Sequence, residues 1–402
     1  MTLAAARPFH AGRNLRWLLA FMATGRLNPH LAVWVIYLTD YRDLTLAQVG
    51  LMETFFQAVK VAGQVPTGAF ADRYGRRLTF ITGVAIEGSG ILLFGLAGNF
   101  PLLVVAYLLW ALGITFWQGN DHAYIYDALA AEGREPEFPA HAGRLLAVTA
   151  GSGMVGSLIG GAIAARTTLA WGVLAGALPA IPAIFIAWRM QEPPRRGRAR
   201  LPYVATLRAA FAALRTRPAA RWAILFEVAL AVTRPGTALL FQPFLVRHEV
   251  PVAWFGLAIL PLGLGGIAGS FASARVLRAA GVRWTFALAL GGSVVAFLVL
   301  ATVDHLAAIA AYPLLQVSLT LGAPALSAYV NARTESAVRA TVLSVAPLGI
   351  AVVFSVMAAV TGILGDRDLL LAYAVLGATL AVLGGGAYAM WLRADARESA
   401  AA

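Results

Sequence analysis

The chain has 402 residues, 60% of them hydrophobic and 12% charged, with a formal net charge of +12 and no cysteine. Soluble domains carry about 25% charged residues, so this composition cannot cover a soluble core of matching size and specifies an integral membrane protein instead. Without cysteine there is no disulfide framework, no thiol nucleophile and no Cys-ligated metal.

The opening MTLAAARPFHAGRNLRW has no basic region leading into a short apolar core with a small-residue cleavage site, so no cleaved signal peptide is expected. A bilayer-spanning helix needs about 20 mainly apolar residues. Twelve segments qualify: 15–38, 46–70, 78–98, 102–127, 145–165, 168–189, 221–246, 253–275, 284–303, 306–330, 340–364 and 368–392. No two-residue alternation supports a β-barrel. The long connection after the sixth span begins with two prolines and an arginine cluster. In it Val204, Leu207, Phe211 and Leu214 recur at helical spacing, as in an amphipathic helix lying on a membrane surface. The expected architecture is all-α, with twelve transmembrane helices. It divides into an N-terminal six-helix half (1–189), a cytoplasmic linker (190–220) and a C-terminal six-helix half (221–402).

Basic residues set the orientation. Arg42, Arg166, Arg247 and Arg367 fall on one side, and Arg26, Lys60 and Arg234 fall inside spans. All others of the 31 Lys and Arg share the side that holds both termini. Both termini are therefore expected in the cytoplasm, and the protein in the cytoplasmic (inner) membrane. Topology and anionic lipid account for the +12 charge, so no nucleic-acid partner is expected.

A shift of 206 residues lays 50–80 on 256–286 without a gap. Gly50/Gly256, Leu51/Leu257, Ala62/Ala268, Gly63/Gly269, Gly75/Gly281, Arg77/Arg283, Thr79/Thr285 and Phe80/Phe286 coincide. Span two thus lands on span eight, as a six-plus-six duplication requires. Such repeats mark secondary transporters, whose substrate site lies between the halves.

Between spans two and three runs GAFADRYGRRLTF (68–80). A positive-inside loop explains its arginines but not an aspartate held between glycines and arginines. Gly68, Ala71, Asp72, Arg73, Gly75, Arg76 and Arg77 complete the pattern Gly-x-x-Ala-Asp-Arg-x-Gly-Arg-Arg, and here the sequence resembles the major facilitator superfamily. VPTGAFADRYGRR with AYIYDAL resembles, more narrowly, a bacterial branch labelled as drug or metabolite efflux. Gln64 stands where members of that branch commonly carry an acid. The run SGMVGSLIGG (152–161) resembles the antiporter motif Gly-Pro-x-x-Gly-Gly with Ser157 in place of proline, and small residues for helix approach explain it equally well. The resemblance implies that Arg76 pairs with Asp127 at the end of span four and that Asp72 faces the start of the helix near Ala340. Together they would hold the cytoplasmic side closed. Gly68 is expected to permit close helix packing. The resemblance also implies a central cavity lined by spans 1, 4, 7 and 10.

Ionisable residues inside spans are costly and mark function by default. Arg26 and Asn28 lie in span one, Glu227, Arg234 and Gln242 in span seven, and Gln316 in span ten. In span four Trp117, Asp121 and Tyr124 share a face, with Gln118 and His122 beside them. Glu53, Gln57, Lys60 and Gln64 form a stripe on span two, spaced as neighbours on a helix face. Glu87, midway along span three, has no partner evident in sequence. Lys60–Glu87 and Lys60–Asp121 pairs are both open, as is a purely structural role for them. Asp121 is the leading proton carrier, with His122, Glu53, Glu87 and Glu227 as further candidates. Arg26, Asn28, Trp117, Gln118, Tyr124, Arg234, Gln242 and Gln316 are the substrate-cavity candidates.

The expected function is proton-coupled export of small amphipathic compounds or metabolites by alternating access. The alternative is uptake or exchange of a small organic anion, since arginine suits carboxylate and phosphate groups. A receptor or scaffold without transport fits the intact loop motif poorly. No nucleotide loop, metal cluster or catalytic triad points to an enzyme or a cofactor. The expected partners are a small-molecule substrate, protons and membrane lipids, with the chain acting as a monomer.

Overall fold

The computed structural model describes residues 9–194, 212, 214–333 and 345–401, and every regular element among them is helical. The first predicted span is broken. It comprises α1 (Ala11–Gly25), an interruption from Arg26 to Asn28, a 3-10 turn at Pro29–Ala32 and a π-helical turn at Tyr37–Tyr41. Next come α2 (Leu46–Tyr74) and α3 (Arg76–Leu96). The fourth span divides into α4 (Phe100–Trp117) and α5 (Asn120–Ala130) at Gly119, whose φ is 84°. α6 (Phe138–Arg166), α7 (Leu169–Leu174) and α8 (Ala180–Arg189) follow. The seventh span comprises α9 (Pro218–Leu230), α10 (Thr233–Ala238) and α11 (Phe241–Arg247). α12 (Phe255–Thr302) takes in the eighth and ninth predicted spans and turns at Gly281. α13 (Ala311–Arg333), α14 (Val345–Arg367) and α15 (Leu369–Ala401) complete the described chain.

Nine helical stretches among the described residues are long and apolar enough to cross a membrane, and one of them, Val252–Thr302, covers two predicted spans. Predicted spans one and two fall outside that set for separate reasons. The first is interrupted at Arg26. The second is continuous but carries Glu53, Lys60, Asp72 and Arg73. The linker positions Val204, Leu207 and Phe211, and the helix start expected near Ala340, lie outside the described residues.

The 206-residue repeat has a geometric counterpart. Gly75 and Gly281 both take positive φ, 99° and 76°, a region open to glycine and strained for other residues. Four residues on, Thr79 Oγ1 donates to the Gly75 carbonyl at 2.6 Å, and Thr285 Oγ1 donates to that of Gly281 at 2.9 Å. Thr67 Oγ1 donates to the Thr115 carbonyl and Ser273 Oγ to the Leu321 carbonyl, both at 3.0 Å. Each donor and each acceptor differs from its counterpart by the same shift.

Contacts divide the chain into two units. One takes Met1–Trp34, Val59–Ala199 and Val252–Leu257, and the other takes Val35–Ala58, Arg200–Pro251 and Ala258–Ala402. In the first, α1, α3, α5 and α8 meet around Phe21, Phe80, Tyr124 and Ile125. Helices in a bilayer associate through close packing rather than release of water. The α3–α4 contact shows this: a Cβ on Gly113 would lie 2.4 Å from the Glu87 amide nitrogen. In the second unit, Phe226 stacks on Phe286 with centroids 4.7 Å apart, and Trp391 packs 4.9 Å from Phe286.

Candidate functional site

The loop motif forms a connected polar cluster at one end of the first unit. The positive φ of Gly75 ends α2 and starts α3. The exposed first amides of α3, those of Arg76 and Arg77, donate to Glu192 Oε1 and Oε2 at 2.8 and 3.0 Å. A Cβ on Gly75 would lie 2.8 Å from Glu192 Oε2. The Arg76 side chain reaches α5. Its Nε lies 2.7 Å from Asp127 Oδ2, and its Nη1 donates to Asn120 Oδ1 at 3.0 Å. Asn120 returns a bond to the Arg76 carbonyl. Asp72 and Arg73 are exposed, and Arg73 lies over the Tyr74 ring. An added Cβ at Gly68 would meet nothing within 4 Å, which corrects the expectation that this glycine permits helix packing.

Sequence reasoning missed Gln191 and Glu192. Gln191 Oε1 accepts from Arg13 and Asn14, its amide donates to Asn14 Oδ1, and its carbonyl accepts from Tyr124. The signal was the Gln-Glu-Pro-Pro stretch closing span six, read only as the start of a linker. Tyr124 is corrected by the same bonds. Expected in the cavity, it is fully buried, packs on Phe80 and donates to the chain at Gln191.

Glu132, just past α5, caps α1 by accepting from the Ala11 amide at 2.7 Å. That bond, aided by Arg134, holds its carboxyl below the ordinary value of 4.5. A depressed carboxylate contributes stability above its unfolded-state value, and the contribution is lost as pH falls through the folded value. Acid titration of the melting temperature should therefore lose part of its slope below about pH 4.5 in Glu132→Gln.

Deeper in the first unit, the break in span one places Arg26 against Glu87 and Trp117. Arg26 Nη2 lies 2.7 Å from Glu87 Oε2, and Trp117 Nε1 donates to the same oxygen at 2.9 Å. The guanidinium carbon sits 3.8 Å from the Trp117 ring centre. Arg26 and Glu87 are 7% and 3% exposed, so both charges are withdrawn from solvent and neutralise each other. Glu87 thus has a partner on a different span, and the cavity candidates Arg26 and Trp117 are committed to it.

Asp121 lies in the first turn of α5, where a helix N-terminus favours an anion. Its Oδ1 accepts from the His122 amide at 2.7 Å and meets His122 Nδ1 at 3.0 Å. Asp121 is buried, whereas the His122 side chain is 56% exposed. Gln118 is exposed at the end of α4, and Asn28 is half-buried in the break of span one. Its neighbour Pro29 is packed by α6. A Cβ on Gly160 would lie 1.9 Å from the Pro29 carbonyl oxygen, and one on Gly156 would lie 2.5 Å from the Asn28 nitrogen. Gly156 and Gly160 therefore work as a close-packing surface for the break. Gly160→Ala should destabilise by about 1–3 kcal/mol through overpacking, seen as a lowered melting temperature. Gly68→Ala, made in open space, should leave it unchanged. His30, in the same break, is fully buried against the Trp110 edge, and neither ring nitrogen has a partner among the described residues. Nothing in the sequence pattern singles it out.

In the second unit, Glu227 is 5% exposed, and its Oε2 has no hydrogen-bond partner among the described residues. A Cβ on Gly322 of α13 would lie 2.9 Å from that oxygen. The charged group acting on Glu227 is Arg234, beyond the break that ends α9. Arg234 is half-buried, and its Nε has no hydrogen-bond partner among the described residues. Gln242 is corrected: it is 3% exposed, and its Oε1 accepts from the Val35 and Ile36 amides at 2.9 and 3.2 Å. It satisfies irregular backbone of span one. Glu53 is buried, and Gln316 is half-buried on α13.

Spans one, four and seven are all discontinuous, with arginines or acids at or beside their breaks, the arrangement in which transporters hold polar cargo within a bilayer. These features define a polytopic helical membrane transporter. The family model of the Major Facilitator Superfamily matches residues 17–346, and the chain belongs to that superfamily. It is 27% identical over 99 residues to an uncharacterized MFS-type transporter, YxaM, of Bacillus subtilis (strain 168), a match covering 25% of this chain and 24% of that protein. It therefore spans about a quarter of the curated relative's length. Its fold is similar to a mutant of the nucleoside transporter NupG, with TM-score 0.79 and 14% identity over 95% of this chain and 100% of that one. It is also similar to a bacterial homolog of the human lysosomal transporter Spinster in an inward-facing, occupied conformation. That likeness has TM-score 0.74 and 17% identity over 97% of this chain and 98% of that one.

Proposed function

We propose that this transporter exports small amphipathic compounds in exchange for protons, by alternating access, from an inner membrane with both chain termini in the cytoplasm. The observation that carries the coupling is buried Glu227, whose Oε2 has no partner among the described residues. A carboxylate buried without donors costs several kcal/mol, and binding a proton removes that cost. Glu87 is instead engaged by Arg26 and Trp117 through the same oxygen. Asp121 remains a second carrier, with exposed His122 as its route to water. Arg76, Asp127 and Asn120 supply the latch on the cytoplasmic side, and Glu192 fixes the turn from which Arg76 projects. Export follows from the resemblance of VPTGAFADRYGRR and AYIYDAL to efflux proteins.

The test uses purified protein in vesicles held acid inside, with ethidium outside as the probe. Accumulation that collapses with a protonophore supports exchange, and accumulation indifferent to the gradient opposes it. The Nε of Arg234, unpartnered among the described residues, favours a second reading, uptake or exchange of a small organic anion. Thermal stabilisation by organic anions that disappears in Arg234→Ala would shift the assignment to it.

A further inference from the structure

The first turn of α2 is capped from two sources. Thr45 and Gln48 form a reciprocal capping box: Thr45 Oγ1 accepts from the Gln48 amide at 3.1 Å, and Gln48 Oε1 accepts from the Thr45 amide at 2.9 Å. That leaves the amides of Leu46 and Ala47, which have no partner within the helix. Both donate to Asp366, at 2.6 Å to Oδ1 and 2.9 Å to Oδ2. Asp366 lies at the end of α14, 320 residues further along the chain.

Beyond this cap, α2 and α14 meet backbone to backbone inside the second unit. A Cβ on Gly362 would lie 2.2 Å from the Leu46 carbonyl oxygen, and one on Gly50 would lie 2.3 Å from that of Ala358. Thr54 Oγ1 donates to the Ser355 carbonyl at 2.8 Å. Small residues give the seam its closeness but no charge. The carboxylate supplies that, through charge-assisted bonds at the positive end of a helix dipole.

We propose that Asp366 is a positioning residue for transport, a carboxylate clasp that holds α14 against the first turn of α2 in one access state and releases it in the other. This rests on the alternating-access reading above. Water must take over the Leu46 and Ala47 amides when the seam opens, so the charge of Asp366 weights the balance between states without touching substrate.

The chain has no cysteine, so single reporters can be placed without background. Val49, 0% exposed in the first turn of α2 that Asp366 caps, becomes Val49→Cys. Tyr126, exposed on α5, becomes Tyr126→Cys. Maleimide labelling rates are compared in the parent, Asp366→Asn, Asp366→Glu and Gly362→Ala. The clasp expects Asp366→Asn to raise labelling at Val49→Cys about tenfold, the factor that 1.4 kcal/mol produces. Asp366→Glu, which keeps the charge, should label near the parent rate, separating loss of the clasp from general loosening. Gly362→Ala should open the seam by clash alone. Unchanged labelling at Val49→Cys in Asp366→Asn overturns the clasp. A fall at Tyr126→Cys that accompanies each rise at Val49→Cys supports alternation. A rise at Val49→Cys with no change at Tyr126→Cys in any variant leaves the clasp standing and defeats the alternating-access reading.

Discussion

Glu227→Gln should abolish pH-driven transport while leaving the protein folded. Glutamine keeps the shape of the side chain and the contact with Gly322 but can neither bind nor release a proton. It also removes the risk of a buried, unpaired charge, whose desolvation costs about 1–3 kcal/mol or more. The variant's melting temperature should therefore equal or exceed that of the parent. A carrier defect with intact stability distinguishes a coupling acid from a structural one. Glu87→Gln offers the contrast. It strands the Arg26 guanidinium, which is 7% exposed, and breaking a buried pair by removing one partner costs about 3–5 kcal/mol. That variant should lose melting temperature along with activity. If Glu227→Gln retains gradient-driven flux, Glu227 is not the carrier, and Asp121→Asn becomes the decisive variant.

Arg76→Ala and Asp127→Asn should each shift the balance between access states, and their effects should be non-additive. The pair is 2.7 Å apart, with side chains 14% and 30% exposed. It is thus less screened than a surface pair, which contributes about 0.2–1 kcal/mol. A double-mutant cycle should give a coupling of about 1–2 kcal/mol, within the range for contacting residues. That corresponds to a roughly fivefold to thirtyfold change in state populations. The cycle is read in transport rate and in labelling at Tyr126→Cys. Additive effects would show that Arg76 and Asp127 act separately, and that Asn120 and Glu192 hold the motif without them.

The helical plan was legible because it rests on hydrophobic run length and on the placement of arginines, both carried by single residues. The Arg76–Asp127 contact was legible through a motif, and the repeat through glycines that the backbone needs at Gly75 and Gly281. What sequence did not yield were partners set by tertiary packing. Arg26 meets Glu87 across 61 residues, a separation over which residue spacing specifies no pair. Tyr124 and Gln242 look like cavity polarity on a helical face, yet each satisfies backbone groups that broken or ending helices leave open. Those breaks, at Arg26 and after Leu230, do carry glycine and proline, with Gly25 and Pro29 flanking the first and Pro235 and Gly236 following the second, but they fall inside apolar runs long enough to read as continuous spans. Gly119 could have been read as one, since it follows an apolar helix and precedes an Asn-Asp start.

The most direct measurement of the central claim follows protons and probe together. Vesicles containing the wild-type protein and a trapped pH-sensitive dye are given ethidium without an imposed gradient, beside vesicles containing Glu227→Gln. Proton–substrate exchange expects ethidium entry to drive protons outward and raise the internal pH, with no pH change in the variant. Ethidium entry with no movement of protons in the wild type would contradict it.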